Sequence, residues 1–237
     1  ACVEVVNAAV AGLSLPGVQE LWENWASRFR PAVVVVYPSP AFYLSNRGPS
    51  APAPVRSSSV IQDRRPWRPR LWQRAKDAFE FPEFIQRRRL AAALEAATAS
   101  HDSTWFFREV PQDRLERYRA DLTSLTRSIT ARGARPVLVT HAMRFHIPPT
   151  PDEMPILNGW RRFTPRALPT VMLEFEVAAA RVTGQVARSE EVPLVDAAGR
   201  LSAHPGWFAD FAHFTDEGAA VMAGLLADSL ARVIPLR

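Results

Sequence analysis

The chain has 237 residues, 47% of them apolar and 22% charged, with a formal net charge of +5 at pH 7. This length and apolar content favour one domain with a large core over two small ones. Of the 29 basic residues only Lys76 is a lysine. An excess of arginine together with many alanines and prolines is typical of a GC-rich genome, so we expect a bacterial source, and the positive charge gives no reason to expect nucleic acid as a partner.

Several classes of protein are disfavoured at once. A single cysteine, Cys2, cannot form an internal disulfide and provides no metal site. No apolar run reaches the roughly 18 residues that a membrane span requires, and residues 1–30 lack the pattern of a secretion signal. We therefore expect a soluble chain whose compartment stays open, since an export signal can precede Ala1.

The first elements predict a βαβ unit. Residues 3–6 form a short β-branched run that ends at Asn7, and a loop of small residues follows as far as Gly12. Pro16 then begins a helix, because the apolar residues after it repeat at helical spacing: Val18, Leu21, Trp22, Trp25 and Phe29. Residues 32–37 are a continuous apolar run, as expected of a strand buried on both faces of a parallel sheet.

The second half continues the alternation of strands and helices. Helices are predicted at about residues 115–129, 168–188 and 216–233, the last one capped by Thr215, and strands at residues 136–140 and 192–196. The last strand is the weakest of these because Pro193 cannot donate to a ladder. The pattern predicts an α/β fold, a three-layer α/β/α sandwich with a mostly parallel sheet.

Residues 45–107 interrupt this alternation. They begin with a cluster of prolines and continue with arginines and tryptophans before a predicted helix that ends near Thr98. Basic residues among aromatic ones can bind nucleic acid or an anionic membrane surface. We favour a helical insertion or lid whose aromatic residues pack on a single domain of residues 1–237 and whose arginines face water. Contact with a membrane surface is the alternative.

The most informative motif lies just before the last helix. Asp210 and His213 stand three residues apart on one predicted turn. A histidine that removes a proton from a hydroxyl needs an anionic partner to fix its tautomer and to stabilise its charged form. This spacing predicts the general base and the orienting acid of a hydrolytic triad.

Other polar residues follow the predicted strands. His141 and Arg144 lie after the strand at 136–140, where side chains of a parallel sheet meet ligands, so they are candidates for contact with substrate. A single histidine at such a place is more often a hydrogen-bonded structural residue. The five histidines show no metal-ligand spacing, and we expect neither a metal ion nor a cofactor.

The order of these features resembles the SGNH (GDSL-type) hydrolases. The resemblance is carried by the loop from Asn7 to Gly12, the strand after the first helix, and Asp-x-x-His followed by Thr-x-x-Gly at residues 210–218, and it covers nearly the whole chain. It implies that His213 is the general base, that Asp210 orients it, and that Gly12 gives a backbone N–H to the oxyanion hole. Asn7 becomes a candidate for contact with substrate.

Two departures from the family pattern stand out. The family's Gly-Asp-Ser motif precedes the asparagine-to-glycine loop, so the resemblance implies that the nucleophilic serine and its strand lie upstream of Ala1. That strand is central in the family, so we expect residues 3–6 and 33–36 to flank a slot filled by a preceding segment or another chain. The family's oxyanion asparagine is also missing, and Tyr37 and Ser39 occupy that region beside prolines. They are the alternative donors.

Two serines within the chain are weaker candidates for the nucleophile. Ser14 stands in a sequence that has one residue too many for a nucleophile elbow, and it is more typical of a position before a helix. Ser39 follows a buried strand, but prolines precede and follow it.

Three functions remain open. The first is an SGNH-type serine ester hydrolase acting on an acyl or acetyl ester of a carbohydrate or a lipid. The second is an acyltransferase of the same fold, and the third is a non-catalytic binding module that keeps the fold.

Overall fold

A computed structural model of the protein describes residues 4–10, 12–45, 92, 94–96, 98–99 and 101–233. The chain is a mixed α/β protein with a small parallel sheet. The helices in the described part of the chain include α1 (Leu15–Asn24), α2 (Gln112–Ala131), α3 (Met154–Arg161), α4 (Pro169–Ser189), α5 (Ala197–Leu201) and α6 (Asp216–Val233). The strands are β1 (Val33–Val36), β2 (Arg135–Val139) and β3 (Leu194–Val195), and short 3-10 helices cover Ala26–Phe29, Pro40–Leu44 and Pro205–Trp207.

The sheet has the order β1-β2-β3, with both pairs parallel. Val36 lies opposite Leu138, and Leu138 lies opposite Leu194. The carboxyl ends of the strands therefore meet at one edge of the sheet, which is where open parallel sheets collect polar side chains for ligands. Tyr37, Thr140 and Asp196 each follow one strand at this edge.

Successive residues of β2 belong to two different groups of core residues. Leu138 packs with residues of α1, α2 and α4. Val137 and Val139 pack with residues of α5 and α6, among them Met222. This alternation follows from the pleat of a strand, which sends neighbouring side chains to opposite faces. Residues of α1, α2 and α4 therefore share a core group with Leu138, and residues of α5 and α6 share the other with Val137 and Val139.

Most periodic segments of the sequence form the predicted elements, but the first helix, predicted to reach Phe29, ends at Asn24 and is followed by the 3-10 helix Ala26–Phe29. The helices predicted at 115–129, 168–188 and 216–233 are α2, α4 and α6, and the strands at 32–37 and 136–140 are β1 and β2 within one residue at each end. The hydroxyl of Thr215 accepts the N–H of Gly218 (3.2 Å), which confirms Thr215 as the cap of α6. The strand at 192–196 is shorter than predicted, because it pairs with β2 only at Leu194–Val195.

The prediction of a strand at residues 3–6 is wrong for residues 4–6, which the structure describes. Residues 4–6 adopt no strand, and Val5 is 84% exposed. A β-branched run without a neighbouring ladder has no partner for its backbone groups, so its local preference does not produce a strand. Residues 4–6 therefore do not flank a slot beside β1, whose outer edge bonds to no strand in the described part of the chain.

Two helices were not predicted, and much of the insertion cannot be compared with its prediction. α3 and α5 are short and lie in segments rich in proline or alanine, where a helical stripe is hard to recognise. Cys2 and residues 46–91 of the predicted insertion lie outside the described residues. None of the helices described is both long and apolar enough to cross a membrane.

Candidate active site

The turn that carries Asp210 and His213 is closed by backbone hydrogen bonds at its base. The N–H of Ala209 donates to the carbonyl of His213 (2.8 Å), and the N–H of Thr215 donates to the carbonyl of Trp207 (2.9 Å). Gly218 of α6 lies so close to Trp207 that an added Cβ would stand 2.1 Å from that carbonyl oxygen. The turn is thereby held against the first turn of α6.

Within this turn the predicted acid and base form a hydrogen-bonded pair. Nδ1 of His213 lies 2.7 Å from Oδ2 of Asp210. The other carboxylate oxygen accepts the backbone N–H groups of Ala212 and His213, both at 2.8 Å. An ionised carboxylate can only accept, so Nδ1 carries the proton and Nε2 is left as the basic atom of the neutral ring. This is the arrangement of a histidine prepared to act as a general base.

The carboxyl group of Asp210 is kept ionised by these bonds. Desolvation raises the pKa of Asp210, but the N–H groups of His213 and Ala212 and the imidazole together outweigh it. The pKa therefore lies below its ordinary value, and the group stays an acceptor across the neutral range. Both side chains remain accessible, since His213 is 77% and Asp210 43% exposed.

An aromatic cluster lies beside the pair. The ring of Phe211 stacks on Trp160, with 5.7 Å between ring centroids, and contacts Phe163 at 5.9 Å. The ring of Phe211 also lies 6.4 Å from that of His213. Phe163 is 53% exposed, so it extends an apolar surface from the core to the neighbourhood of the histidine.

Arg144 joins the loop after β2 to the turn. Its Nη1 donates to the carbonyl of Phe208 (2.8 Å), two residues before Asp210. Its Nε is buried without a hydrogen-bond partner among the described residues. The sequence predicted Arg144 as a residue of the substrate site, and the structure brings it to the turn as a support for the backbone.

His141, the other candidate in this loop, lies in a different place. Its Nδ1 is 2.8 Å from Oε2 of Glu176 on α4, and both side chains are almost completely buried. The ring of Tyr37 lies 5.4 Å from that of His141, and the Tyr37 hydroxyl accepts the N–H of Ala142 (3.2 Å). Desolvation raises the pKa of Tyr37 to about 12, against the opposing effect of that N–H. The ring contact joins Tyr37, which is 37% exposed, to the buried His141, and the hydrogen bonds of the two side chains do not involve residues of the turn.

In the part of the chain that the structure describes, the remaining candidates form no hydrogen bond with the Asp210–His213 pair or with the His141–Glu176 pair. Asn7 is exposed, and its side chain accepts the N–H of Ala9 (3.0 Å). Gly12 adopts a φ of +82°, a backbone conformation that favours glycine. Ser39 is half-buried and precedes the 3-10 helix Pro40–Leu44, and Ser14 is the residue before α1, as predicted. Among the described residues the His213 side chain hydrogen-bonds with Asp210 alone.

The sequence analysis did not predict Glu176 as a site residue, although the pattern of its helix indicates that it is buried. It lies at helical spacing from Met172, Ala179 and Thr183, all of them buried on the core face of α4. An acid within such an apolar stripe has to find a buried partner. No group of three or more metal-ligand side chains occurs in the part of the chain that the structure describes.

No protein-family model matches this chain, and comparisons with curated proteins and with solved structures give no significant match.

Proposed function

We propose that the protein is a serine ester hydrolase of SGNH type, acting on an acyl or acetyl ester of a carbohydrate or a lipid. The observation that supports this proposal is the Asp210–His213 pair, in which one carboxylate holds Nδ1 and leaves Nε2 accessible. Few structural roles require an exposed histidine whose ring and backbone N–H both bond to the same carboxylate. General-base catalysis requires that fixed orientation.

In the proposed reaction, Nε2 of His213 removes the proton of a serine hydroxyl as the serine oxygen attacks the ester carbonyl. The carbonyl electrons move to the oxygen, and the resulting tetrahedral intermediate collapses with cleavage of the bond to the alcohol. His213 returns the proton to the departing alcohol, which leaves an acyl-serine. Water then repeats the sequence, with His213 again as base, and releases the acid. Asp210 stabilises the imidazolium at each stage.

The serine and the oxyanion hole are the parts that the resemblance to the family supplies. It implies a serine upstream of Ala1 and an N–H from Gly12. Tyr37 is a poor second donor because of its position. Its hydroxyl accepts the N–H of Ala142 and its ring packs on that of His141, so its O–H, although free to donate, lies in that group and not at the turn of His213. The loss of one oxyanion donor typically costs about 3 kcal/mol of transition-state stabilisation, so we expect slow turnover of simple esters.

We also propose the three-layer architecture that accompanies this family. The alternation of Leu138 and Val139 between two core groups supports it, because one group contains α2 and α4 and the other contains α6. In such a sandwich the nucleophile, the base and the oxyanion donors come from loops at the carboxyl edge of the sheet.

An acyltransferase of the same fold is the second candidate. Phe211 lies 6.4 Å from the ring of His213 and packs on Phe163, and an acyl group that covers these rings would exclude water and favour transfer to a second alcohol. The two activities share the acyl-serine and differ only in the final acceptor. Product analysis with a sugar alcohol present separates them.

A fluorophosphonate probe applied to the protein in its natural full length tests the proposal. We expect the wild type to be labelled, and His213→Ala to reduce the labelling rate by about 10³-fold or more. His204→Ala is the matched control, because His204 is also exposed and its ring contacts Trp207 but no carboxylate among the described residues. A wild-type protein that resists the probe would instead indicate a binding module, and equal labelling of all three proteins would exclude His213 as the base.

A further inference from the structure

A second candidate site lies on the other side of the loop that follows β2. An open cavity of about 590 Å³ is bounded by α4, by this loop, and by the segment from β3 to Ala203. Its volume is in the range of sites for small molecules. Asp210 and His213 do not line it, so it is separate from the proposed hydrolytic site.

The cavity contains the buried pair of His141 and Glu176. Glu176 accepts Nδ1–H of His141 with one oxygen and the N–H of Ala41 with the other (3.1 Å). Nε2 is thus the ring nitrogen left for a ligand, and no described residue bonds to it. His141 and Glu176 both line the cavity, so a ligand that fills it lies next to the imidazole. A buried acid and a histidine that face open space form a site for polar recognition.

Two arginines of α4 lie along the same cavity. Arg181 and Arg188 both line it, are exposed, and form no ion pair with the described carboxylates. Gly184 lies between them, and a Cβ at this position would be 3.7 Å from Nη1 of Arg188 and 3.6 Å from Leu194. The guanidinium of Arg188 therefore lies across Gly184 at the wall of the cavity. Unpaired guanidinium groups favour a carboxylate, which they can bind through two parallel hydrogen bonds.

The other walls are largely apolar. Met143, Phe145 and Ile147 line the cavity from the loop after β2, and Leu194 lines it from β3. Leu194 is 40% exposed and Ile147 51% exposed, so both leave apolar surface uncovered. A ligand with an apolar body would remove this surface from water.

We propose that this cavity binds a small hydroxylated carboxylate with an apolar body. The carboxylate pairs with Arg181 and Arg188, the apolar body lies along Met143 and Leu194, and the hydroxyl donates to Nε2 of His141. Glu176 has two effects on the ligand. It holds Nδ1–H of His141, so that Nε2 can accept the ligand hydroxyl, and its negative charge repels the ligand carboxylate from the end of the cavity near His141. The carboxylate is therefore directed to the arginines.

Calorimetric titration with 3-(4-hydroxyphenyl)propionate tests the proposal, since this probe carries all three features. We expect 3-phenylpropionate, which lacks the hydroxyl, to bind about 5-fold more weakly. The double variant Arg181→Gln/Arg188→Gln should weaken the complete probe by about 10-fold or more. 4-Ethylphenol, which lacks the carboxylate, should bind the wild type and the double variant equally.

Two substitutions at Gly184 locate the binding. Gly184→Leu places a side chain in the cavity and should abolish binding, whereas Gly184→Ala makes only ordinary van der Waals contacts and should change affinity by less than about 3-fold. If Gly184→Leu fails to fold, Ala180→Trp fills the cavity from another lining position and should likewise abolish binding. Imidazole resonances of His141 should shift on titration while those of His213 do not. Absence of binding to the wild type, or undiminished binding after the cavity is filled, would overturn the proposal.

Discussion

Removal of the Glu176 carboxylate should destabilise the fold strongly. The side chain is 1% exposed and accepts two hydrogen bonds, one from Nδ1 of His141 (2.8 Å) and one from the N–H of Ala41 (3.1 Å). Glu176→Ala leaves two buried donors without an acceptor. At about 1–3 kcal/mol for each unsatisfied group, the free energy of unfolding should fall by about 2–6 kcal/mol. That is a large share of the roughly 5–15 kcal/mol that stabilises a typical domain.

Glu176→Gln separates the hydrogen bonds from the charge. A glutamine oxygen can accept the N–H of Ala41, and its amide can donate to Nδ1 of His141 once the ring takes its other tautomer. The loss should therefore be about 1 kcal/mol. Glu174→Ala is the control for the helix, because Glu174 is exposed two residues away, and it should change stability by less than about 0.5 kcal/mol.

Urea denaturation followed by circular dichroism measures all three variants on one scale. The decisive comparison is the order of the losses, with Glu176→Ala well beyond Glu176→Gln and Glu174→Ala near zero. If Glu176→Ala and Glu174→Ala unfolded at the same urea concentration, the two bonds of Glu176 would contribute nothing to stability, and the argument from buried donors would be wrong.

Two further predictions concern the turn before α6 and the loop after β2. Gly218→Ala should lower the free energy of unfolding by about 1–3 kcal/mol and slow the proposed esterase, because its Cβ would meet the carbonyl of Trp207. Gly224→Ala on the same helix has free space and should raise the free energy of unfolding by up to about 1 kcal/mol. Melting temperatures and ester turnover check both predictions. Desolvation raises the pKa of Glu153, but hydrogen bonds from Thr150 and His146 lower it below the ordinary 4.5. The contribution of the ionised Glu153 to the free energy of unfolding should be complete above pH 4.5 and lost as the pH falls below it. In urea titrations between pH 6 and pH 3, Glu153→Gln should therefore lose less stability on acidification than the wild type.

The elements that could be predicted are those whose signal is contained in a short stretch of sequence. α4 and α6 have long apolar stripes with clear ends, and the observed helices agree with the predictions within one residue at each end. The pair of Asp210 and His213 also forms within four residues, because both side chains belong to one turn. Local spacing was sufficient to predict this contact.

The features that escaped prediction depend on distant parts of the chain. Glu176 and His141 are 35 positions apart, and they meet only because α4 packs across the carboxyl end of β2. The prediction of a strand at residues 3–6 failed because the composition of this segment favours a strand, but no neighbouring strand in the described part of the chain pairs with residues 4–6. Secondary structure and local motifs are set by short-range periodicity, whereas a buried polar pair depends on the arrangement of whole elements.

The two histidine–carboxylate pairs differ in burial, and burial decides what each can do. His213 is held from within its own turn and is 77% exposed, so its orientation persists whatever else approaches, but water competes for Nε2. His141 is buried beside a cavity and meets only what enters it. If His213 acts as a general base, its site gains most from an acyl group that covers the surface of Phe211 and Phe163, because removing water there strengthens the bonds of the developing imidazolium. Esters with a longer acyl chain should therefore be cleaved with higher kcat/KM than acetyl esters, and Phe163→Ser should remove this preference while leaving acetyl ester cleavage nearly unchanged.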